Sequence, residues 1–479
     1  KILSQLQDCK APGPDGIENR LLKISSDTIA GPMAYIINLS FTSKTFPTRW
    51  KHAKIIPIAK DNSKPLPGPN SRPVSLLPGC GKICERIASE QIASYILKSN
   101  FQSEAQHAYR KLHSTETALL KMTDDWLDNM DNGFMTAVVL LDYSAAFDLV
   151  DHTLLLKKLT TYGFTGDALS WTESYLTNRK WQVYTNGAYS KQRTLHCGVP
   201  QGSCLGPQLY NIYVNDMPES VQNGSLDQYA DDSTVHTRGH TLDVIRTETE
   251  TDLERVATWS DENMLKLNNG KTKTMLVGTS KKTREAPPLE LELRGQRLEQ
   301  CPTVKLLGLH LDQNLTWDNH ITHIVKKCNS SLAQVGRVKD ALPLRQRIAV
   351  VNALIIPHIN YCCSVWGNTT QNNIRRLQVI QNRAARLALG CDRDTHVETM
   401  LKTLGWLTVR DRIQQKSLAT FRRIMFTKQP RVLYDKLTFQ SDIHSYQTRS
   451  TRANTIRLPK PKSNSQKRRF LYRMAQLWN

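Results

Sequence analysis

The sequence predicts an α+β fold whose final third is helical, and three patterns support that prediction. Residues 137–141 (AVVLL) form a short apolar run rich in β-branched Val, as in a buried strand. Short apolar runs flank the acidic pair within 228–236 (QYADDSTVH), as two strands flank a hairpin turn. Apolar residues recur at three- and four-residue steps from Leu242, and helical patterns continue beyond about residue 320.

Other segments follow the same logic of periodicity and turn residues. A helix is expected to end where Gly163 supplies the left-handed conformation that follows many helices. This helix is predicted over 149–162. The patterns also predict a loop over 64–70, a hairpin centred on Gly295 and a strand over 304–311.

The chain is strongly basic. Its 479 residues hold 64 Lys and Arg against 43 Asp and Glu, a net charge of +21. Residues 401–479 hold 18 of those cations and only 3 of the acids. Such an excess attracts polyanions through counterion release, so nucleic acid is the expected partner. The basic C-terminal region is therefore either a nucleic-acid-binding segment or a solvated tail.

Cysteine usage and hydropathy point to an intracellular protein. The ten cysteines show no zinc-ligand spacing, and scattered thiols suit a reducing compartment. No long apolar run is present to span a bilayer, so no membrane partner is expected. The chain opens on Lys1 and ends abruptly on Asn479, so it is expected to be a truncated fragment of a longer reading frame.

Three carboxylates are placed where a sheet can bring them together. Asp142 ends the apolar run, while Asp231 and Asp232 lie at the predicted hairpin turn. Converging carboxylates repel one another, and hard divalent cations such as Mg²⁺ relieve that repulsion. A pair of such ions catalyses in-line phosphoryl transfer. The tetrapeptide YADD alone also suits an ordinary solvated turn.

The surrounding motifs and their order carry a family resemblance. In chain order they are Lys60, 72–77 (RPVSLL), 141–148 (LDYSAAFD), 198–203 (GVPQGS, expected to open a helix), 229–232 (YADD), 268–273 (NNGKTK) and 306–311 (LLGLHL). Together they resemble a reverse transcriptase of the non-LTR retrotransposon (LINE-like) type, from Lys10 to about residue 320. The resemblance implies an RNA-directed DNA polymerase that extends a primer 3′-hydroxyl with dNTPs. An inactive or domesticated nucleic-acid-binding relic is the alternative, and another hand-shaped polymerase is a third reading.

The resemblance also implies an architecture and a setting. The fold would be a right-hand polymerase with a ferredoxin-like palm, fingers and a helical thumb, acting on an RNA template, a DNA primer and their hybrid duplex in the nucleus and cytoplasm. Nicking by an endonuclease is expected to belong to sequence outside this chain, and the oligomeric state is left open. The expected divisions are fingers with an N-terminal extension (1–120), palm (121–320, with a fingers insertion at 150–195), thumb (321–400) and basic C-terminal region (401–479), the reverse transcriptase domain itself spanning about 40–312.

Metal ligands and catalytic groups carry over residue by residue. The resemblance makes Asp142, Asp231 and Asp232 the ligands of two Mg²⁺ ions, with Mn²⁺ as an alternative. The second Asp of the pair commonly matters less for direct ligation. The Tyr143 backbone carbonyl would help to hold the second ion, and Lys271 would protonate the leaving pyrophosphate, with Lys273 as a rival.

Substrate-binding groups carry over in the same way. Phe147 matches a steric gate that excludes a 2′-hydroxyl, although an aromatic packed at a strand-to-helix junction is the plain alternative. Asp148 is expected to be structural, and the thirteen histidines are read as ordinary residues without a partner set. The remaining expected roles are triphosphate contacts for Lys60 and Arg72, nucleotide or template contacts for Gln201 and Gly202, and a primer grip at Leu307 and Gly308.

Overall fold

A computed structural model describes residues 1–60, 71–442 and 455–479, and these divide into two compact units. The predicted loop over 64–70 lies outside the described residues. The units interleave along the chain, so neither is a single continuous segment. The first unit comprises Lys1–Tyr109, Asp142–Val221 and Arg255–Asn268, and the second comprises Arg110–Leu141, Gln222–Glu254 and Asn269–Asn479.

The first half of the chain alternates helices with short strands. The helix predicted from residue 149 is confirmed with a later start, because Asp151 caps it by accepting the Leu154 N–H at 2.8 Å. The elements are α1 (Asn19–Ile24), α2 (Ser26–Thr42), β1 (His52–Ala59), β2 (Ser71–Leu76), α3 (Gly79–Ser99), α4 (Thr115–Asp131), β3 (Met135–Leu141), β4 (Tyr143–Ser144), α5 (His152–Thr161), α6 (Gly166–Leu176), β5 (Arg179–Thr185), β6 (Ala188–Tyr189), β7 (Arg193–Leu195) and α7 (Gly206–Tyr213).

The middle of the chain contains the predicted hairpins. The expectation of one strand over 304–311 is wrong, because Leu307 and Gly308 turn the chain back and split it into two strands. The elements are β8 (Ser225–Tyr229), β9 (Asp232–Gly239), α8 (Leu242–Glu262), β10 (Lys266–Leu267), β11 (Lys273–Val277), α9 (Ser280–Glu285), β12 (Glu292–Leu293), β13 (Gln296–Arg297), β14 (Glu299–Gln300), β15 (Thr303–Leu306) and β16 (Leu309–Asp312).

The remainder of the chain is dominated by helices, as the periodicity predicts. Together with the sheets, these helices confirm the α+β class. The elements are α10 (Asp318–Arg337), α11 (Leu344–Leu354), α12 (Ile356–Asn360), α13 (Cys363–Trp366), α14 (Gln371–Leu389), α15 (Val397–Leu404), α16 (Val409–Thr427), α17 (Arg431–Tyr434), α18 (Asn464–Arg468) and α19 (Phe470–Trp478).

Each unit is organised around a sheet. The second unit has the strand order β14-β11-β3-β9-β8, in which β3 pairs antiparallel with both β11 and β9. β3 is buried almost throughout, in keeping with the apolar run from Ala137 to Leu141. The first unit has the order β2-β1-β5-β6, with β7 also paired to β5. There β1 runs antiparallel to β2 and parallel to β5.

The basic C-terminal region folds onto α4 within the second unit. The buried Asp124 carboxylate accepts the N–H groups of Phe470 and Leu471, at 2.6 and 2.9 Å, and so caps α19. Arg469 pairs with Asp128 one helical turn along α4. The described part of this region is therefore packed against an acidic helix rather than extended as a solvated tail. Its predicted contact with nucleic acid stays a prediction.

Two chain-wide properties complete the description. All ten cysteines lie in the described part of the chain, and all are free thiols. Within the described residues, none of the helices combines the length and the apolar character that crossing a bilayer requires.

Candidate active site

The acidic pair occupies a tight hairpin in the second unit. Tyr229 pairs with Asp232 at the end of β8 and the start of β9, so only Ala230 and Asp231 form the loop. Ala230 has a φ of +59°, and a positive φ in a two-residue loop matches the twist of the flanking strands. Both Asp231 and Asp232 are exposed. The predicted hairpin is confirmed, and its tip presents two carboxylates to solvent.

Within the second unit, strand register pairs the end of β3 with the start of β9. Leu141, the last residue of β3, lies opposite Ser233, which directly follows Asp232. Asp142 is the next residue along the chain and belongs to the first unit, whereas the acidic pair belongs to the second. The meeting of the three carboxylates at one point therefore stays a prediction.

The backbone at Asp142 is fixed within the first unit. Its carbonyl accepts the Asn268 N–H at 2.8 Å, and β4 continues the pairing with β10. In antiparallel ladders hydrogen-bonded and non-hydrogen-bonded pairs alternate. Since Asp142 and Asn268 form a hydrogen-bonded pair, the next pair, Tyr143 and Leu267, is of the other kind. The Tyr143 carbonyl therefore points away from β10.

The side chain of Tyr143 anchors the same segment. Its hydroxyl lies 2.9 Å from Ser260 Oγ, and the ring is buried. Burial raises the pKa of the phenol, so Tyr143 stays neutral. Only its backbone carbonyl is thus offered as a ligand.

The oxygen donors suit a hard divalent cation. Carboxylates and a backbone carbonyl are ligands that Mg²⁺ accepts, and Asp231, Asp232 and Tyr143 offer these types. In the described part of the chain, no group of three or more His, Cys, Asp or Glu side chains is arranged to hold a metal ion. The donor chemistry fits Mg²⁺, and the assembly of these donors into one site stays a prediction.

Phe147 is held rigidly in the first unit. It lies in a short 3-10 turn after Ala145, whose φ is +52°. Its ring stacks on Tyr210 with centroids 4.3 Å apart and planes 17° from parallel. Its carbonyl accepts the Val199 N–H at 2.9 Å. The ring is partly exposed, so it is both supported from behind and available to a ligand.

The loop carrying GVPQGS is fastened to two other motifs. Gln201 Nε2 lies 3.0 Å from each carboxylate oxygen of Asp148, and the Gln201 carbonyl accepts the Ser75 N–H at 2.7 Å. The segment does not itself open a helix, because α7 begins at Gly206. It is a loop whose hydrogen bonds link strand β2 to the turn containing Phe147.

The glycines of that loop are explained by the protein's own backbone. Gly202 has a φ of +120°, and a Cβ there would lie 2.6 Å from the Ser75 carbonyl oxygen. Gly198 has a φ of +85°, and a Cβ there would lie 2.6 Å from the Asp148 carbonyl oxygen. Only glycine fits either position. The predicted nucleotide contacts of Gln201 and Gly202 stay predictions, with packing as an additional reason for the glycine.

Burial and charge act in opposite directions on Asp148. Desolvation raises the pKa of its carboxyl, while the Gln201 hydrogen bond and the Lys60 charge lower it. Desolvation is the largest of these effects, so the pKa is raised overall. The influence of Lys60 places its ammonium near this carboxylate. Arg72 is exposed on β2, opposite Ile58, three residues before Ser75. The structure thus gathers Lys60, Gln201 and Asp148 in the first unit.

The two candidate lysines downstream differ in their surroundings. Lys273 lies in β11 and pairs with Glu299, Nζ to Oε2, at 3.3 Å. Lys271 precedes that strand and is exposed. The Glu299 carboxylate holds Lys273 in an ion pair. The choice of Lys271 as the proton donor stays a prediction.

Leu307 and Gly308 form the tip of the hairpin β15–β16 in the second unit. Their φ values of +45° and +86° are both positive, as a type I′ turn requires. The Tyr361 hydroxyl donates to the Leu307 carbonyl at 2.8 Å, and a Cβ on Gly308 would lie 3.1 Å from the Tyr361 ring. The tight hairpin expected for a primer grip is therefore present and clamped by Tyr361.

Some arrangements were missed because they join distant segments. Histidines read as ordinary group together: the His310 and His323 rings lie 4.5 Å apart, and the buried His320 lies beneath them. Two arginines of α14 tie that helix to α10, since Arg376 donates to Thr322 at 2.9 Å and Arg383 donates to Asn329 at 2.7 Å. No local pattern signals such contacts.

Comparison with known proteins agrees with this geometry. Residues 59–311, more than half of the chain, match the family described as reverse transcriptase (RNA-dependent DNA polymerase). The matched stretch includes every motif from Lys60 to the hairpin tip at Gly308. The chain therefore belongs to the reverse transcriptase family.

Relatives narrow the class within that family. A probable RNA-directed DNA polymerase from transposon BS of Drosophila melanogaster is 30% identical over 417 residues, covering 85% of this chain and 46% of that protein. The RNA-directed DNA polymerase from mobile element jockey of the same species is 27% identical over 399 residues, covering 81% and 43%. The resemblance to non-LTR retrotransposon reverse transcriptases is confirmed. The chain spans less than half the length of these relatives.

Proposed function

We propose that this chain is the RNA-directed DNA polymerase of a non-LTR retrotransposon, extending a primer 3′-hydroxyl with dNTPs on an RNA template. The strand register carries the proposal: β9 starts on Asp232, and Ser233 lies opposite the residue that precedes Asp142. On this proposal the three carboxylates would meet where β3 ends and β9 begins. The retention of all three argues against an inactive relic.

Asp142, Asp231 and Asp232, with the Tyr143 carbonyl, would hold two Mg²⁺ ions. When bound, such ions make the primer hydroxyl more acidic and neutralise the leaving pyrophosphate. The exposed loop gives Asp231 direct access to phosphate oxygens. Asp232 is the pair member whose backbone is fixed by pairing with Tyr229.

The first unit would bind the incoming nucleotide. Arg72 and Lys60 are cations suited to a triphosphate, Arg through paired N–H groups and Lys as a point charge. The Phe147 ring, backed by Tyr210, would exclude a ribose 2′-hydroxyl. Gln201, held by Asp148, would contact the nucleotide or the template base.

The second unit would handle the primer and the leaving group. Lys271 would donate a proton to pyrophosphate, and the hairpin tip at Leu307 and Gly308 would press on the primer end. In right-hand terms, the sheet containing β3 and β9 would be palm and the sheet containing β1 and β2 fingers. The helices from α10 to about residue 400 would be thumb. We place the activity inside the cell, where the element's RNA and chromosomal primers are found.

The test is primer extension on poly(rA)/oligo(dT) with dTTP and Mg²⁺. The wild-type chain and Asp243→Asn, which alters an exposed aspartate on α8, should incorporate dTTP equally. Asp231→Asn should abolish incorporation while still binding the hybrid. Binding without incorporation by the wild type would establish a relic instead, and a preference for ribonucleotides would establish an RNA polymerase.

A further inference from the structure

Five basic side chains gather beside the hairpin β15–β16 in the second unit. Lys305 and His310 lie directly opposite each other across the hairpin, two residues from its tip on either side. When His310 is protonated, the two side chains carry like charges, which in that position destabilise a strand pair unless something compensates them. The basic cluster is defined as Lys305 and His310 on the hairpin, His323 and Lys327 on α10, and His358 on α12.

The cluster is held in place by ring contacts and one hydrogen bond. His310 lies 4.5 Å, centroid to centroid, from His323. The His310 N–H donates to Nδ1 of His320, at 3.4 Å, so α10 and the hairpin are linked beneath the cluster. His320 itself is buried, with 4% of its surface exposed, and is not available to a ligand.

Charge in the cluster is of one sign. Burial lowers the pKa values of His310, His323 and His358, and the nearby Lys327 lowers all three further. Lys305 also lowers the pKa values of His310 and His323. Every charged neighbour that shifts these three pKa values is a lysine or another histidine. The two lysines are exposed and the three rings half-buried. The cluster therefore faces outward with two permanent positive charges and three imidazoles that add positive charge only when protonated.

We propose that the basic cluster binds backbone phosphates of the primer–template duplex beside the hairpin tip, and that this binding takes up protons on His310 and His323. The inference rests on the proposed polymerase function. It gives the hairpin a second contact with nucleic acid, beside the primer contact proposed for its tip. Lys305 and Lys327 supply permanent charge. The imidazoles supply charge only when a phosphate favours their protonated form.

The direction of the pH effect follows from linkage. Without nucleic acid, the lysine charges and burial keep the rings neutral near pH 7. A phosphate oxygen beside an imidazole favours the imidazolium and raises its pKa. The complex therefore holds more protons than the free protein, and lowering the pH strengthens binding.

The experiment measures affinity of a labelled RNA–DNA hybrid, without dNTPs, across a salt series. Each phosphate contact contributes about 0.9 to the slope of log K against log salt. Lys305→Gln combined with Lys327→Gln should therefore reduce the slope by nearly two and weaken binding by about tenfold or more. Lys326→Gln, which alters the exposed lysine adjacent to Lys327, is the matched control. It should leave both the salt slope and the affinity close to the wild-type values.

A second comparison isolates the histidines. Wild-type binding should strengthen between about pH 8 and about pH 6, the range in which imidazoles titrate. His310→Gln with His323→Gln should bind like the wild type at the higher pH and lose most of that strengthening. An unchanged salt slope in the lysine variant, or an unchanged pH effect in the histidine variant, would overturn the inference. Failure of the wild type to extend primers would instead overturn the polymerase proposal alone.

Discussion

Gln201 is fastened to Asp148 through its side chain, with Nε2 at 3.0 Å from both carboxylate oxygens. The Gln201 main chain is bonded to Ser75 of β2, the strand that also carries Arg72. Asp148 directly follows Phe147. One carboxylate thus ties together the residues proposed to surround the incoming nucleotide, which makes Asp148 a positioning residue.

Asp148→Ala should raise the KM for dNTP by about tenfold or more and change kcat less. The variant removes a hydrogen bond to a charged acceptor, which contributes about 1.5–3 kcal/mol. Steady-state primer extension at varied dTTP measures the split. Asp148→Asn keeps an acceptor oxygen at the same place and should show a smaller increase in KM. Equal KM values for Asp148→Ala and the wild type would contradict the positioning role.

Phe147→Val should relax discrimination against ribonucleotides by about tenfold to a hundredfold, the range that one steric contact supplies. The smaller side chain opens the space under the sugar while the loop bonded to the Phe147 backbone is retained. The ratio of kcat/KM for dTTP and UTP measures the effect. Phe164→Leu, at a buried aromatic packed on Tyr95 in the same unit, is the control and should leave the ratio unchanged. A constant ratio in Phe147→Val would remove Phe147 from the gate role.

Gly308→Ala should weaken primer binding more than Gly295→Ala does. Both glycines have positive φ, +86° and +70°, so alanine is strained by about 1–2 kcal/mol at each. Only at Gly308 would the new Cβ press on Tyr361, because Gly295 has nothing within 4 Å. Primer affinity and thermal unfolding are measured for both variants. Equal primer affinity in the two would show that the hairpin tip of β15–β16 does not contact the primer.

Lys271→Ala should lower kcat by about a hundredfold, a typical contribution of a general acid. Lys273→Ala should lower it far less, because Lys273 pairs with Glu299. The high-pH limb of the kcat profile reports the acid, and this limb should disappear only in Lys271→Ala. The opposite pattern would assign the proton donor to Lys273.

Local sequence was sufficient for the parts of the fold that depend on neighbouring residues. The acidic hairpin and the strand before Asp142 follow from turn chemistry and alternation. The hairpin tip at Gly308 was implied only by the family resemblance. The strand predicted over 304–311 failed because Leu307, an apolar residue, occupies a turn position with positive φ. Alternation alone cannot distinguish that turn from a continuous strand.

Contacts between distant segments were beyond local patterns. Gln201 meets Asp148 across 53 residues, and Asp124 meets Phe470 across 346. The cluster around His310 depends on how a hairpin lies on a helix. Such pairings are fixed by tertiary packing, which no periodicity encodes. For the same reason the close approach of Gly202 to the Ser75 backbone was not predicted. Its expected nucleotide contact stays a prediction.

The central claim is that Asp142 and Asp231 act on one reaction centre, and single-turnover incorporation by Asp142→Asn, Asp231→Asn and the double variant tests it most directly. Residues that act as a unit have non-additive effects. Each single variant should lose about 10³-fold or more, since ligation contributes several kcal/mol. The double variant should be no slower than the slower single. Near-wild-type incorporation by either single variant, or losses that multiply in the double, would contradict the claim.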